Sequence, residues 1–152
     1  MKYLIIDGSN LVRKIYGFDA AEAKREGYRG DTANSALFVS IFRRFLKRCP
    51  KLALFCNKAN SFVEIYFDGK PRDIYSSGAG AVVCLCSGRK TSDEQILARI
   101  AAMSSLDRRQ VLLLTFDRNL AAQARGLSAH TIDPVKIIEK ISQLGLDLYA
   151  YV

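Results

Sequence analysis

The chain has 152 residues, 49% of them hydrophobic, and its 23 Lys and Arg outnumber 15 Asp and Glu to leave a formal net charge of +8. A chain of this length buries roughly two-thirds of its unfolded surface in one core, which excludes a disordered tail and leads to the expectation of a single domain over residues 1–152. Asp7 interrupts the first apolar run too early for a signal-peptide core, and no run approaches the roughly 18 residues of a membrane helix, so a soluble, cytoplasmic protein is expected.

In chain order, Lys2 to Ile6 reads as a buried strand. A helix follows, capped by Asp31 or Thr32, with Leu37, Ile41, Phe42, Phe45 and Leu46 on its apolar face and Lys47 and Arg48 in its last turn, where the macrodipole prefers cations. Cys49-Pro50 ends it. Lys51 to Ala59 fits a strand by the alternation of Leu52, Leu54 and Cys56, or a helix by the spacing of Leu52, Phe55 and Ala59; Pro50 at a first helical position favours helix. Further strands are expected at Phe62 to Phe67 and Ala81 to Cys86, then a helix over Ser92 to Met103. A strand at Val111 to Phe116 leads to a helix over Arg118 to Arg125 with Gly126 as its stop. A last strand at Ser128 to Ile132 precedes a helix from Pro134 to Leu144, capped by Asp133 and stopped by Gly145. Strands alternating with helices imply an α/β fold with a parallel sheet covered on both faces.

Three acids directly follow apolar runs: Asp7, Asp68 and Asp117. Each leaves the carboxyl end of a strand, the edge where open α/β sheets place ligands, and Asp93-Glu94 in the first turn of a helix after the third strand faces that same edge. Carboxylates gathered there repel one another unless a cation neutralises them, so the pattern points to a hard divalent ion with oxygen ligands, Mg2+ or Mn2+. Such an ion activates water and stabilises charge on a phosphoryl oxygen, which phosphodiester hydrolysis requires.

Each acid also has a structural explanation. Asp7-Gly8 and Asp68-Gly69 fit simple turns, and Asp68 by itself fits a turn better than a ligand. Thr91-Ser92-Asp93-Glu94 fits a capping box, and Asp117 can cap the helix after it. The coincidence of all four sites at one edge favours the functional reading.

Asp7-Gly8-Ser9-Asn10, Tyr66-Phe67-Asp68-Gly69, Thr91-Ser92-Asp93-Glu94-Gln95-Ile96, and Thr115-Phe116-Asp117 followed by Gly126-Leu127-Ser128-Ala129 resemble the ordered motifs of NYN domains, which are PIN-like nucleases, and especially of their YacP-like branch. The resemblance spans nearly the whole chain. It implies a PIN-like three-layer sandwich around a central parallel sheet and ribonuclease activity. It further implies metal ligation by Asp7, Asp93 and Asp117, with Asn10 and Asp68 at the edge of the site; Glu94 is a further candidate ligand. RNA, single-stranded before double-stranded, is the expected partner, and ribosome association is a further expectation. The chain ends soon after its last helix, at Tyr149-Ala150-Tyr151-Val152, so contacts made by the longer basic extension of some YacP-like proteins do not carry over.

The positive excess fits a polyanionic partner. It is spread over short clusters, Arg13-Lys14, Arg43-Arg44, Lys47-Arg48, Arg89-Lys90 and Arg108-Arg109, any of which can equally be the solvated face of a helix. Arg13, Lys14, Arg89, Lys90 and Arg118 lie near motif acids in sequence and are the expected RNA-binding residues. Cys49, Cys56, Cys84 and Cys86 lack a CxxC spacing and read as buried reduced thiols; only Cys84 and Cys86, on one face of a strand, leave zinc as an alternative.

The main rival is a non-catalytic RNA-binding module on the same fold. A phosphatase of the haloacid dehalogenase type needs a second Asp where this chain has Ser9, and no Walker lysine motif exists. His130, the only histidine, reads as structural, so water is the natural nucleophile.

Overall fold

A computed structural model describes residues 2–17, 21, 25, 29–48, 62–69 and 82–148. Its strands are β1 (Tyr3–Asp7), β2 (Phe62–Phe67), β3 (Val82–Cys86), β4 (Val111–Leu114) and β5 (His130–Ile132). They form one five-stranded sheet in the order β3-β2-β1-β4-β5, with every neighbouring pair parallel. The helices are α1 (Gly8–Tyr16), α2 (Arg29–Arg48), α3 (Ser92–Ala101), the single turn α4 (Ser105–Arg108), α5 (Arg118–Gly126) and α6 (Pro134–Gln143).

Strand periodicity divides the core. Leu4, Ile6, Val63, Ile65 and Phe67 point to one face, where Leu11, Val12 and Ile15 of α1, Phe38, Phe42 and Phe45 of α2, and Ile137 and Ile141 of α6 bury them. Tyr3, Ile5, Tyr66, Val111 and Leu113 point to the other, against Ile96 and Ile100 of α3 and Leu120 and Ala124 of α5. The result is the expected three-layer, PIN-like sandwich. Chain order reverses beside β1, where β2 lies on one side and β4 on the other, so the topological switch point falls at the carboxyl end of β1.

Several boundaries differ from expectation for identifiable reasons. Helix α1 begins where Asp7-Gly8 reads as a turn in sequence. Gly8 has no positive φ; it is helical, and a Cβ there would sit 2.7 Å from Ile65 Cγ2 and from Phe67 Cε1. Helix α2 already runs at Arg29, so Asp31 and Thr32 lie inside it instead of capping it. β1 extends to Asp7, β4 stops at Leu114 and α3 stops at Ala101. Helix α5 continues through Gly126, and the left-handed residue after it is Ser128, with φ of 75°, which delays β5 to His130. Asp133 caps α6 by accepting from the Val135 amide, and Gly145 takes φ of 76° beyond its end, as expected. The Lys51 to Ala59 segment, Ala81, Cys49 and Cys56 lie outside the described residues.

Candidate active site

The same alternation that sends Tyr3 and Ile5 toward α3 and α5 sends Asp7 there, at the end of β1. Thr115 continues the Val111 and Leu113 series beside it. The Asp7 side chain is 0% exposed: Oδ1 accepts from Ser92 Oγ at 3.3 Å and Oδ2 from Thr115 Oγ1 at 2.9 Å. Although Asp7 stands at the N-cap position of α1, no side-chain capping bond forms. Burial, then repulsion from Asp93 and Asp68, pushes its carboxyl up to about 7 against the opposing hydrogen bond from Thr115.

Thr115 links the group. Its Oγ1 donates to Asp7, accepts from the Asp117 amide at 3.0 Å, and lies 3.3 Å from Asn10 Oδ1. Asn10 Oδ1 in turn accepts from the Phe116 amide at 2.8 Å, tying α1 to the loop after β4. Asp117 Oδ1 accepts from the amides of Asn119 and Leu120, so this residue does cap α5. Burial pushes the Asp93 carboxyl up to about 6, reinforced by the charge of Asp117 and a hydrogen bond with it, and by the charge of Asp68.

Asp68 is placed differently. Gly69 behind it takes φ of 94°, so this pair does form a bend. Asp68 Oδ2 accepts from Arg13 Nη1 at 2.6 Å and Oδ1 from the Ser92 amide at 2.7 Å. Burial alone would raise this carboxyl, but the Ser92 amide and the Arg13 guanidinium hold it below the usual range. Asp7, Asn10, Arg13, Lys14, Asp68, Thr91, Ser92, Asp93 and Asp117 line one cavity of about 410 Å³.

The donors in this cavity are oxygens, the type Mg2+ and Mn2+ prefer. Among the described residues no group of three or more His, Cys, Asp or Glu is preassembled to hold an ion. Asp7 is engaged by two hydroxyls, Asp117 Oδ1 by two amides and Asp68 by a guanidinium. The oxygen donors nevertheless suit a divalent cation: burial first, and then repulsion among the acids, disfavours charge on Asp7 and Asp93, and a cation would relieve the repulsive part.

The cavity lining thus brings together Asp7, Asn10, Asp68, Asp93 and Asp117 with Arg13 and Lys14, and it does not include Glu94, Arg89, Lys90 or Arg118. Glu94 is exposed, and its amide donates to Thr91 Oγ1 at 3.2 Å, the capping arrangement. Arg89 and Lys90 are exposed in the turn before α3, and Arg118 is exposed as the first residue of α5. His130 is exposed at the amino end of β5, opposite the acid edge. Cys84 and Cys86 are free and half-buried. Sequence reasoning gave no role to Ser9, Ser92 or Thr115, which position the acids; their only signal was adjacency to the motif acids.

No protein-family model matches the sequence, and no curated protein matches it. Among solved structures, the crystal structure of Rae1 (YacP) from Bacillus subtilis matches with a TM-score of 0.53, over 95% of this chain and 77% of that one, at 15% identity. The chain therefore has a fold similar to that of Rae1 (YacP); in this chain that fold is an α/β sandwich whose motif acids lie at the carboxyl edge of the parallel sheet.

Proposed function

We propose that the chain is a metal-dependent ribonuclease of the NYN, PIN-like type, cleaving single-stranded RNA internally by hydrolysis of phosphodiester bonds. The observation that carries this reading is the convergence of Asp7, Asp93 and Asp117, from three separate segments, on one cavity at the switch point of the sheet. The ordered motifs and the fold shared with Rae1 (YacP) support it.

In this reading Asp7, Asp93 and Asp117 hold Mg2+ or Mn2+, and Asn10 fixes the loop that carries Asp117. A cation held by these residues would supply an activated water and charge neutralisation at the phosphoryl oxygen. Thr115 keeps Asp7 and the Asp117 backbone in register through one hydroxyl. Arg13 and Lys14 bring positive charge to the cavity wall, where a phosphate must pass the acids. Arg89, Lys90 and Arg118, exposed outside the cavity lining, suit contacts along the rest of an RNA strand. Cytoplasmic location and ribosome association belong to the same reading, by the likeness of the motifs to the YacP-like branch.

One observation favours the non-catalytic module instead: the described acids are not preassembled as a metal-holding group. Purified chain incubated with labelled single-stranded RNA and DNA, in Mg2+, Mn2+ or chelator, separates the two. The nuclease reading expects internal cuts in RNA with metal and none in chelator. RNA that is bound but intact under every condition would establish the module.

A further inference from the structure

Asp68 differs from the other acids of the cavity in what holds it. The side chains that donate to Asp7 are two neutral hydroxyls, which can rotate away from the carboxylate. Asp68 accepts from a guanidinium at 2.6 Å and from the first backbone amide of α3 at 2.7 Å, while its own amide donates to the buried Ser9 Oγ at 2.8 Å. Coordinating a cation through Asp68 would bring a second positive charge against oxygens already engaged by the Arg13 guanidinium and the Ser92 amide, in an ion pair whose side chains are only 14% and 20% exposed.

Arg13 gains a fixed position from the same contacts. It lies one helical turn after Asn10 on α1, so the two share a face and both line the cavity. A guanidinium has five N–H donors in a planar fork. The pair with Asp68 uses Nη1, so the charge is anchored inside an acidic cavity instead of extending into solvent.

We propose that Asp68 is a positioning residue that holds the Arg13 guanidinium against a non-bridging phosphate oxygen of the bound strand, and that it is not a ligand of the cation. The assignment rests on the nuclease reading above. It predicts that Asp68 acts on RNA through Arg13 and leaves metal affinity alone.

The test compares the full-length parent with Arg13→Gln, Asp68→Asn and the double variant, measuring binding of a fluorescent single-stranded RNA in chelator and Mn2+ binding by calorimetry without RNA. Asn at 68 retains an oxygen for the Ser92 amide. Arg13→Gln and Asp68→Asn are each expected to weaken RNA binding about tenfold, with the double variant no weaker than Arg13→Gln. The salt slope of Arg13→Gln should fall by about 0.7. Mn2+ affinity of Asp68→Asn should stay within about twofold of the parent, against a loss of tenfold or more in Asp93→Asn. Loss of Mn2+ affinity in Asp68→Asn, or RNA losses that add in the double variant, would overturn the assignment. Circular dichroism checks folding, and Arg13→Lys keeps charge beside Asp68 but lacks the fork; parental RNA affinity in Arg13→Lys also overturns it. A parent that binds RNA no better than Arg13→Gln refutes this assignment alone, whereas a parent that neither binds nor cleaves RNA refutes the nuclease reading and the assignment with it.

Discussion

At the Asp7 position, the carboxyl titrates near 7 in the folded chain against an ordinary value of 3.8. Between those values the folded state holds a proton that the unfolded state has lost, so this group's contribution to stability falls as pH rises from about 4 to about 7 and then levels off. Asp7→Asn removes that slope while keeping the shape of the side chain and an oxygen for Thr115. In chelator the variant should therefore melt at or above the parent's temperature at pH 8, with a smaller difference between pH 5 and pH 8. Differential scanning fluorimetry at the two pH values checks this, and a variant that melts well below the parent at pH 8 would mean the charge stabilises the fold. Asp7, Asp93 and Asp117 were legible in sequence because apolar runs and a helix start lead directly to them. Ser9, Ser92 and Thr115 were not, because hydroxyls beside acids are common and their pairing spans up to 108 residues of sequence. Asp68 was legible as a site residue, but its pairing with Arg13 depends on α1, a helix the sequence did not announce.

The junction of β1 and α1 shows how an element can hide behind a motif. Gly8 reads as a turn glycine, yet its requirement is steric: Ile65 and Phe67 of β2 occupy the space a methyl would need. Gly8→Ala should cost about 1–3 kcal/mol through overpacking, read as a lowered urea midpoint with an unchanged slope, and an unchanged midpoint would contradict this account of the close contact. The ends of α5 and α6 make a matched pair. At α6 the Gly145 amide donates to Ser142 O at 3.0 Å and the Leu146 amide to Ile141 O at 3.2 Å; at α5 Ser128 and Ala129 donate in the same pattern to Arg125 and Ala124. Both ends follow the Schellman motif, but α5 places Ser128 where α6 places glycine. The glycine expected to stop α5, Gly126, is instead its last helical residue. Ser128→Gly relieves the left-handed backbone and should stabilise by up to ~1 kcal/mol; a lowered melting temperature would refute that assignment.

For the whole molecule, alternation of strands and helices was enough to foresee a parallel sheet between helical layers. Strand order was not legible, because periodicity says which face a residue takes and nothing about which strand lies beside it. That order is what sets β1 between β2 and β4 and brings acids distant in sequence to one edge. The net charge of +8 acts at the same scale. Neutralising Arg89 and Lys90 together, both exposed before α3, should weaken RNA binding and lower the salt slope by roughly 1.4; an unchanged slope would remove them from the RNA path. Cleavage of end-labelled single-stranded RNA by the parent and by Asp7→Asn in Mg2+ or Mn2+ tests the nuclease reading most directly. Metal-dependent internal cleavage by the parent, abolished in the variant while its RNA binding is equal or tighter, is the predicted result. Near-parental metal-dependent cleavage by Asp7→Asn would contradict it.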